Sequence, residues 1–120
     1  MKKSFVLAAL LPLAVAAQDI KQELHAELKA QVEFPATVPA GNYSGITWLG
    51  GNEYAVVCDK ARADGFFIFH INIDPDTGVI SHAYNNEFRS SGYANRDMEG
   101  IAFMPKDTTI FISGEGDNSI

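Results

Sequence analysis

The stretch NRDMEGIAFMPKDTTIFISGEGDN, residues 95–118, carries five carboxylates; four of them, Asp97, Glu99, Glu115 and Asp117, bracket its two apolar runs. An earlier stretch, SGITWLGGNEYAVVCDK, ends in Asp59 and Lys60 after a run of similar character. Carboxylates that converge repel one another unless a cation lies between them. A hard divalent cation, Ca²⁺ above all, takes about six to eight oxygens from carboxylates, amides and backbone carbonyls. Asn95, Asn118 and the loop Gly114-Glu115-Gly116 would add oxygens at little steric cost. Lys60, Arg62, Arg89 and Arg96 fall in predicted loops and have the chemistry to hold a phosphate or a carboxylate. The plain alternative is a set of solvated turn residues in an acidic protein.

Other chemistries lack their residues. There is no Gly-x-Ser-x-Gly elbow for a serine nucleophile. His25, His70 and His82 sit in predicted strands without metal-ligand spacing. Cys58, the single cysteine, ends an apolar run and reads as a small buried hydrophobe. Asn42-Tyr43-Ser44 fits a glycosylation sequon, and a turn entering a strand explains it equally well.

The elements that would position these groups read as strands. Residues 44–49 predict a first strand and Gly50-Gly51-Asn52 a turn. Residues 53–59 are nearly all apolar and predict a strand buried on both faces. A polar loop spans 60–65, a third strand 66–73, a turn Asp74-Pro75-Asp76-Thr77-Gly78, and a fourth strand 79–85. A polar loop follows over 86–96. Upstream, Ile20, Leu24, Leu28 and Val32 have helical spacing, and their neighbours are good helix formers. Residues 24–34 also alternate strictly between apolar and polar, which favours a long strand with one buried face, ended by Pro35 and Pro39.

The two acidic stretches are copies of one pattern. Ser44-Gly45-Ile46-Thr47-Trp48-Leu49 matches Glu99-Gly100-Ile101-Ala102-Phe103-Met104 at an offset of 55. Tyr54-Ala55-Val56-Val57-Cys58-Asp59 matches Ile110-Phe111-Ile112-Ser113-Gly114-Glu115 at an offset of 56. A repeat of this size holding four strands predicts a β-propeller of four-stranded antiparallel blades. The alternative is two unrelated hairpins with similar turns. The chain holds one blade and part of the next, and a ring closes with about four to eight. The expectation is therefore an N-terminal portion of a longer protein. The loop entering a blade's first strand and the loop leaving its second open on one face. Asp97 and Glu99 should thus meet Glu115 and Asp117 at the channel mouth, with Asp59 and Lys60 at the equivalent place in the preceding blade.

The 120 residues include 9 basic and 15 acidic side chains, for a formal charge of −6. Such a surface disfavours nucleic acid and anionic membrane as partners. Residues 1–17 read as a signal peptide: Met1-Lys2-Lys3, an apolar run from Phe5, and small residues before Gln18. The run is too short to span a bilayer comfortably. Its removal would take the charge to −8. Export to the periplasm or the extracellular space follows. The organisation expected is a signal peptide at 1–17, an N-terminal strand and linker at 18–41, and a first blade with part of a second at 42–120.

The segments NYSGITWLGGNEYAVVCDK, DGFFIFHINIDPDTGVI and NRDMEGIAFMPKDTTIFISGEGDN together resemble the opening blades of the phytase-like family, whose domain is called esterase-like activity of phytase. The resemblance covers about residues 43–118. It implies a six-bladed or similar propeller, exported, acting on phosphoesters or esters. By motif match it carries over Asp59, Lys60, Arg96, Asp97, Glu99 and Glu115. Cys58 stands where a small polar residue such as Ser is expected.

The reading is a phytate-like phosphomonoester hydrolase using a metal-activated water, which dispenses with a protein nucleophile. Glu99 and Asp97 would be catalytic, and Lys60 and Arg96 would bind substrate. Glu99, Glu115, Asp59 and Asp117 would hold Ca²⁺. The alternative is a non-catalytic propeller that binds a ligand or partner at the same mouth.

Overall fold

The computed structural model describes residues 25–116 and Ile120. Six strands follow in order: β1 (Tyr43–Gly50), β2 (Glu53–Cys58), β3 (Gly65–Ile73), β4 (Ile80–Ser90), β5 (Met98–Met104) and β6 (Thr109–Gly114). They form a four-stranded sheet in the order β1-β2-β3-β4 and a two-stranded sheet of β5 and β6, with antiparallel neighbours throughout. No described residue is helical. The fold is all-β, and its two sheets are those of an incomplete propeller, one blade with four strands and part of a second with two.

The core sits on β2, where the apolar run predicts it. Ala55, Val56, Val57 and Cys58 are buried, as are Ile68 and Phe69 beside them on β3. Met98, at the start of β5, is fully buried. β5 packs against β1. Two hydrogen bonds stitch that contact: the Ser44 hydroxyl donates to the Met98 carbonyl at 2.6 Å, and the Phe103 amide donates to the Thr47 hydroxyl at 3.1 Å. The backbones approach closely at Gly45, where a Cβ would lie 3.0 Å from the Glu99 carbonyl oxygen and 3.2 Å from a Val57 methyl.

The internal repeat extends to an irregularity. In β1–β2 the pairing steps from Tyr43↔Cys58 to Gly45↔Val57, leaving Ser44 without a partner across the ladder. In β5–β6 it steps from Met98↔Gly114 to Gly100↔Ser113, leaving Glu99 unpaired in the same way. Ser44 and Glu99 are the residues that the offset of 55 superposes. Each first strand therefore bulges at the same point, and a bulge re-aims the side chain of its extra residue.

Two expectations change. The fourth strand continues to Ser90 instead of turning into a loop after Asn85. The polar letters of Asn86, Glu87 and Arg89 suggest a loop, but β3 needs a ladder partner along its whole length. Phe67 pairs with Phe88, with ring centroids 4.8 Å apart, and Gly65 pairs with Ser90. Arg89 is thus a strand residue, held by Glu87 at 3.0 Å, and not a loop cation.

Residues 25–34, where alternation predicts a strand, carry no ladder. Residues 25–33 are exposed, Leu28 almost completely. An alternating segment becomes a strand only when an edge accepts its backbone groups. Here the edge of β4 is engaged instead by Thr37: its hydroxyl donates to the Ala83 carbonyl at 2.5 Å and its carbonyl accepts the Asn85 amide at 3.3 Å. The signal-peptide reading at 1–17 lies outside the described residues.

Candidate functional site

The loop leaving β2 and the turn entering β5 meet at one end of the two sheets. Asn95 joins them. Its side-chain amide donates to the Asp59 carbonyl at 2.8 Å and also to the Ala61 carbonyl, while its side-chain oxygen accepts the Asp97 amide at 2.5 Å. Asp97 adopts a left-handed backbone with φ of 53°, which Asp tolerates better than most residues.

That geometry sets the Asp97 carboxylate 3.2 Å from the Lys60 ammonium, which lies 3.4 Å from the Asp59 carboxylate. The hydrogen bond to Asp97, then the charge of Asp59, hold the Lys60 ammonium above its ordinary pKa. One oxygen of Asp59, Oδ1, is buried without a hydrogen-bond partner. Lys60 remains the more exposed member of the cluster.

Beside it lies a drier pair. Asp64, 2% exposed, accepts a hydrogen bond from Arg96 Nε at 2.5 Å and one from the Ser91 hydroxyl at 2.7 Å. A second guanidinium nitrogen of Arg96 donates to the Ile112 carbonyl of β6 at 3.4 Å. The Arg96 backbone oxygen accepts the Gly116 amide at 2.9 Å, and the Asp97 carbonyl accepts the Glu115 amide at 3.1 Å. Residues 114 and 116 are glycines for a steric reason: a Cβ at either would come within 2.7 or 3.0 Å of the Arg96 oxygen. This short ladder brings the backbone of Glu115 beside that of Asp97.

The structure therefore brings together the side chains of Asp59, Lys60 and Asp97, and ties Arg96 to Asp64. Glu99 projects from its bulge as an exposed side chain, and Glu115 is exposed on its glycine loop. Asp117 and Asn118 lie outside the described residues. Among the described residues no three His, Cys, Asp or Glu side chains converge on a metal position. Asn95 uses its side chain as a brace between blades. Arg62 is exposed in the loop after β2.

Asp64 and Ser91 are absent from the sequence reading. Asp64 sits in a polar loop, KARADG, where a buried carboxylate has no local mark. Its burial arises from a loop distant in sequence, Ser91 by 27 residues and Arg96 by 32.

Sheets of this kind, with charged loops gathered at one end across two blades, are those of a propeller-type protein. The family model Phytase-like: Esterase-like activity of phytase matches residues 38–120, and the chain belongs to that family. Membership places it among hydrolase-like proteins with small-molecule substrates. No curated protein and no solved structure matches the chain. No helix among the described residues is long and apolar enough to cross a membrane.

Proposed function

We propose that this chain supplies part of the mouth of an exported hydrolase that cleaves phosphomonoesters of the phytate type. One observation carries the reading beyond family membership: Asp59, Lys60 and Asp97, from two successive blades, converge beside the bulge that bears Glu99. Lys60 offers an exposed ammonium, held in place by two carboxylates, to a phosphate oxygen. Asp97 orients Lys60. In this reading Glu99, at the bulge, accepts a proton from an attacking water as the phosphorus–oxygen bond breaks, and the leaving oxygen takes a proton from solvent.

The described residues alone do not make a calcium site. The cation between Asp59 and Asp97 is the Lys60 ammonium, and Ca²⁺ needs about six to eight oxygens. Calcium enters the reading as a ligand of the whole protein, with Glu99, Glu115 and Asp117 as this chain's contributions.

A second reading is a propeller that binds its ligand at the same residues without turning it over. Lys60 and Arg96 already face carboxylates of the chain itself.

Phosphate release from phytate and from p-nitrophenyl phosphate, measured on the whole protein with and without a chelator, separates the two. The hydrolase reading expects turnover, a loss on the order of a hundredfold or more in kcat for Glu99→Gln, a raised KM for Lys60→Met, and calcium-restored activity after chelation. Tight phosphate binding without turnover would establish the binder. Activity indifferent to chelation would remove calcium.

A further inference from the structure

We propose that Asp64 and Arg96 form a positioning pair: Asp64 clamps the Arg96 side chain, and the Arg96 backbone delivers Asp97 to Lys60. The inference rests on the reading above, in which Lys60 meets the substrate anion, and it gives Arg96 a different task from the substrate contact expected of it.

The Arg96 side chain is 21% exposed and that of Asp64 3%, so the pair is largely withdrawn from solvent. Asp64 joins its own loop to the loop of residues 91–97. Its carboxylate takes Arg96 Nε–H and the Ser91 hydroxyl; its amide donates to the Tyr93 carbonyl at 3.1 Å; and its carbonyl accepts the Ser91 amide at 3.0 Å. Arg96 is fixed from the other side by its backbone, against which Gly114 and Gly116 pack without side chains.

Asp97 follows directly, in a left-handed conformation that only its surroundings hold. A buried charge pair of this kind does not yield a partner to a passing ligand cheaply, since breaking it strands an uncompensated charge. The guanidinium therefore works as a fastener across blades, and the anion is left to Lys60.

The test compares Asp64→Asn, Arg96→Gln, Arg96→Lys and the Asn/Gln double variant in the whole protein. Inorganic phosphate is the binding probe, p-nitrophenyl phosphate the turnover probe, and the Asp97 amide resonance the report on position. A positioning pair predicts that Asp64→Asn and Arg96→Gln each lower kcat/KM by a similar factor, on the order of tenfold to a hundredfold. The double variant is then no worse than either single one. Both shift the Asp97 resonance while signals from β1 to β4 stay in place, and Arg96→Lys, which keeps the charge but loses the Nε–H donor, does not rescue.

If Arg96 were the anion's own contact, Asp64→Asn would free it and leave phosphate affinity equal or tighter, while Arg96→Gln alone would abolish binding; that result overturns the proposal. An unmoved Asp97 resonance in Asp64→Asn does the same. Should these variants fail to fold, Ser91→Ala removes one hydrogen bond from Asp64 and must shift the Asp97 resonance in a folded protein; no shift ends the proposal. A wild-type protein that cleaves no ester ends the hydrolase reading only, and the Asp97 resonance then decides the pair by itself.

Discussion

Lys60 shows how much of the site is visible as letters and how much depends on assembly. Its place after an apolar strand, and that of Asp59, Asp97, Glu99 and Glu115 at strand ends, can be read directly, because charged residues beside apolar runs must fall near turns. What those letters do to one another cannot be read. The Lys60–Asp97 contact spans 37 positions and exists because Asn95 braces one loop to the other. Asp64 is the harder case, a carboxylate hidden among ordinary loop residues. The Lys60 cluster also has a definite pH signature. The folded ammonium titrates above its unfolded value, since Asp97 and Asp59 favour the charged form. Its contribution to stability is therefore complete at neutral pH and is lost only as pH rises past the ordinary lysine range, through the folded pKa. Thermal unfolding followed from neutral to strongly alkaline pH should show a wild-type decline that Lys60→Met lacks. Parallel curves for the two proteins would contradict the ion cluster.

At the level of elements, β1, β2, β3, β5 and β6 follow the sequence pattern to within a residue or two, because apolar runs bounded by Gly, Pro and Asp leave few other options. The failures share one cause. β4 outruns its pattern because β3 supplies a partner for polar residues, and residues 25–34 fall short of theirs because no edge accepts them. Strand formation depends on the neighbour as much as on the strand itself. The contact of β1 with β5 is equally specific, and at Gly45 the blades approach closely. Gly45→Val should destabilise the whole protein by about 1–3 kcal/mol, through overpacking against the Glu99 carbonyl and Val57. The check is a lower denaturant midpoint at unchanged m-value; a midpoint that stays put would mean that the blades do not abut there.

On the scale of the whole molecule, the repeat was legible because its two copies keep one pattern and differ in length by one residue, in a turn, and it carried the fold class with it. The exposed apolar surface belongs to this scale. β6 is bonded to β5 alone among the described strands, and Phe111 on it is 43% exposed. An open apolar edge is a template for pairing with other chains. Residues 18–120, prepared by themselves, should associate in a concentration-dependent way in sedimentation velocity runs. Phe111→Lys should move the distribution towards monomer. A chain that stays monomeric at every concentration would show that this edge is closed by other means.

The paired bulges at Ser44 and Glu99 have a consequence for how such a mouth can change over time. The extra residue in each first strand has no counterpart across the ladder, so the strand's register does not depend on which residue it is. One blade uses the position for a hydroxyl that fastens its neighbour; the next uses it for an exposed carboxylate. The ladder is thereby set at other positions of the same strand. Substitution at the unpaired position can revise charge and blade-to-blade contacts one blade at a time, while the ladders within each blade are inherited untouched.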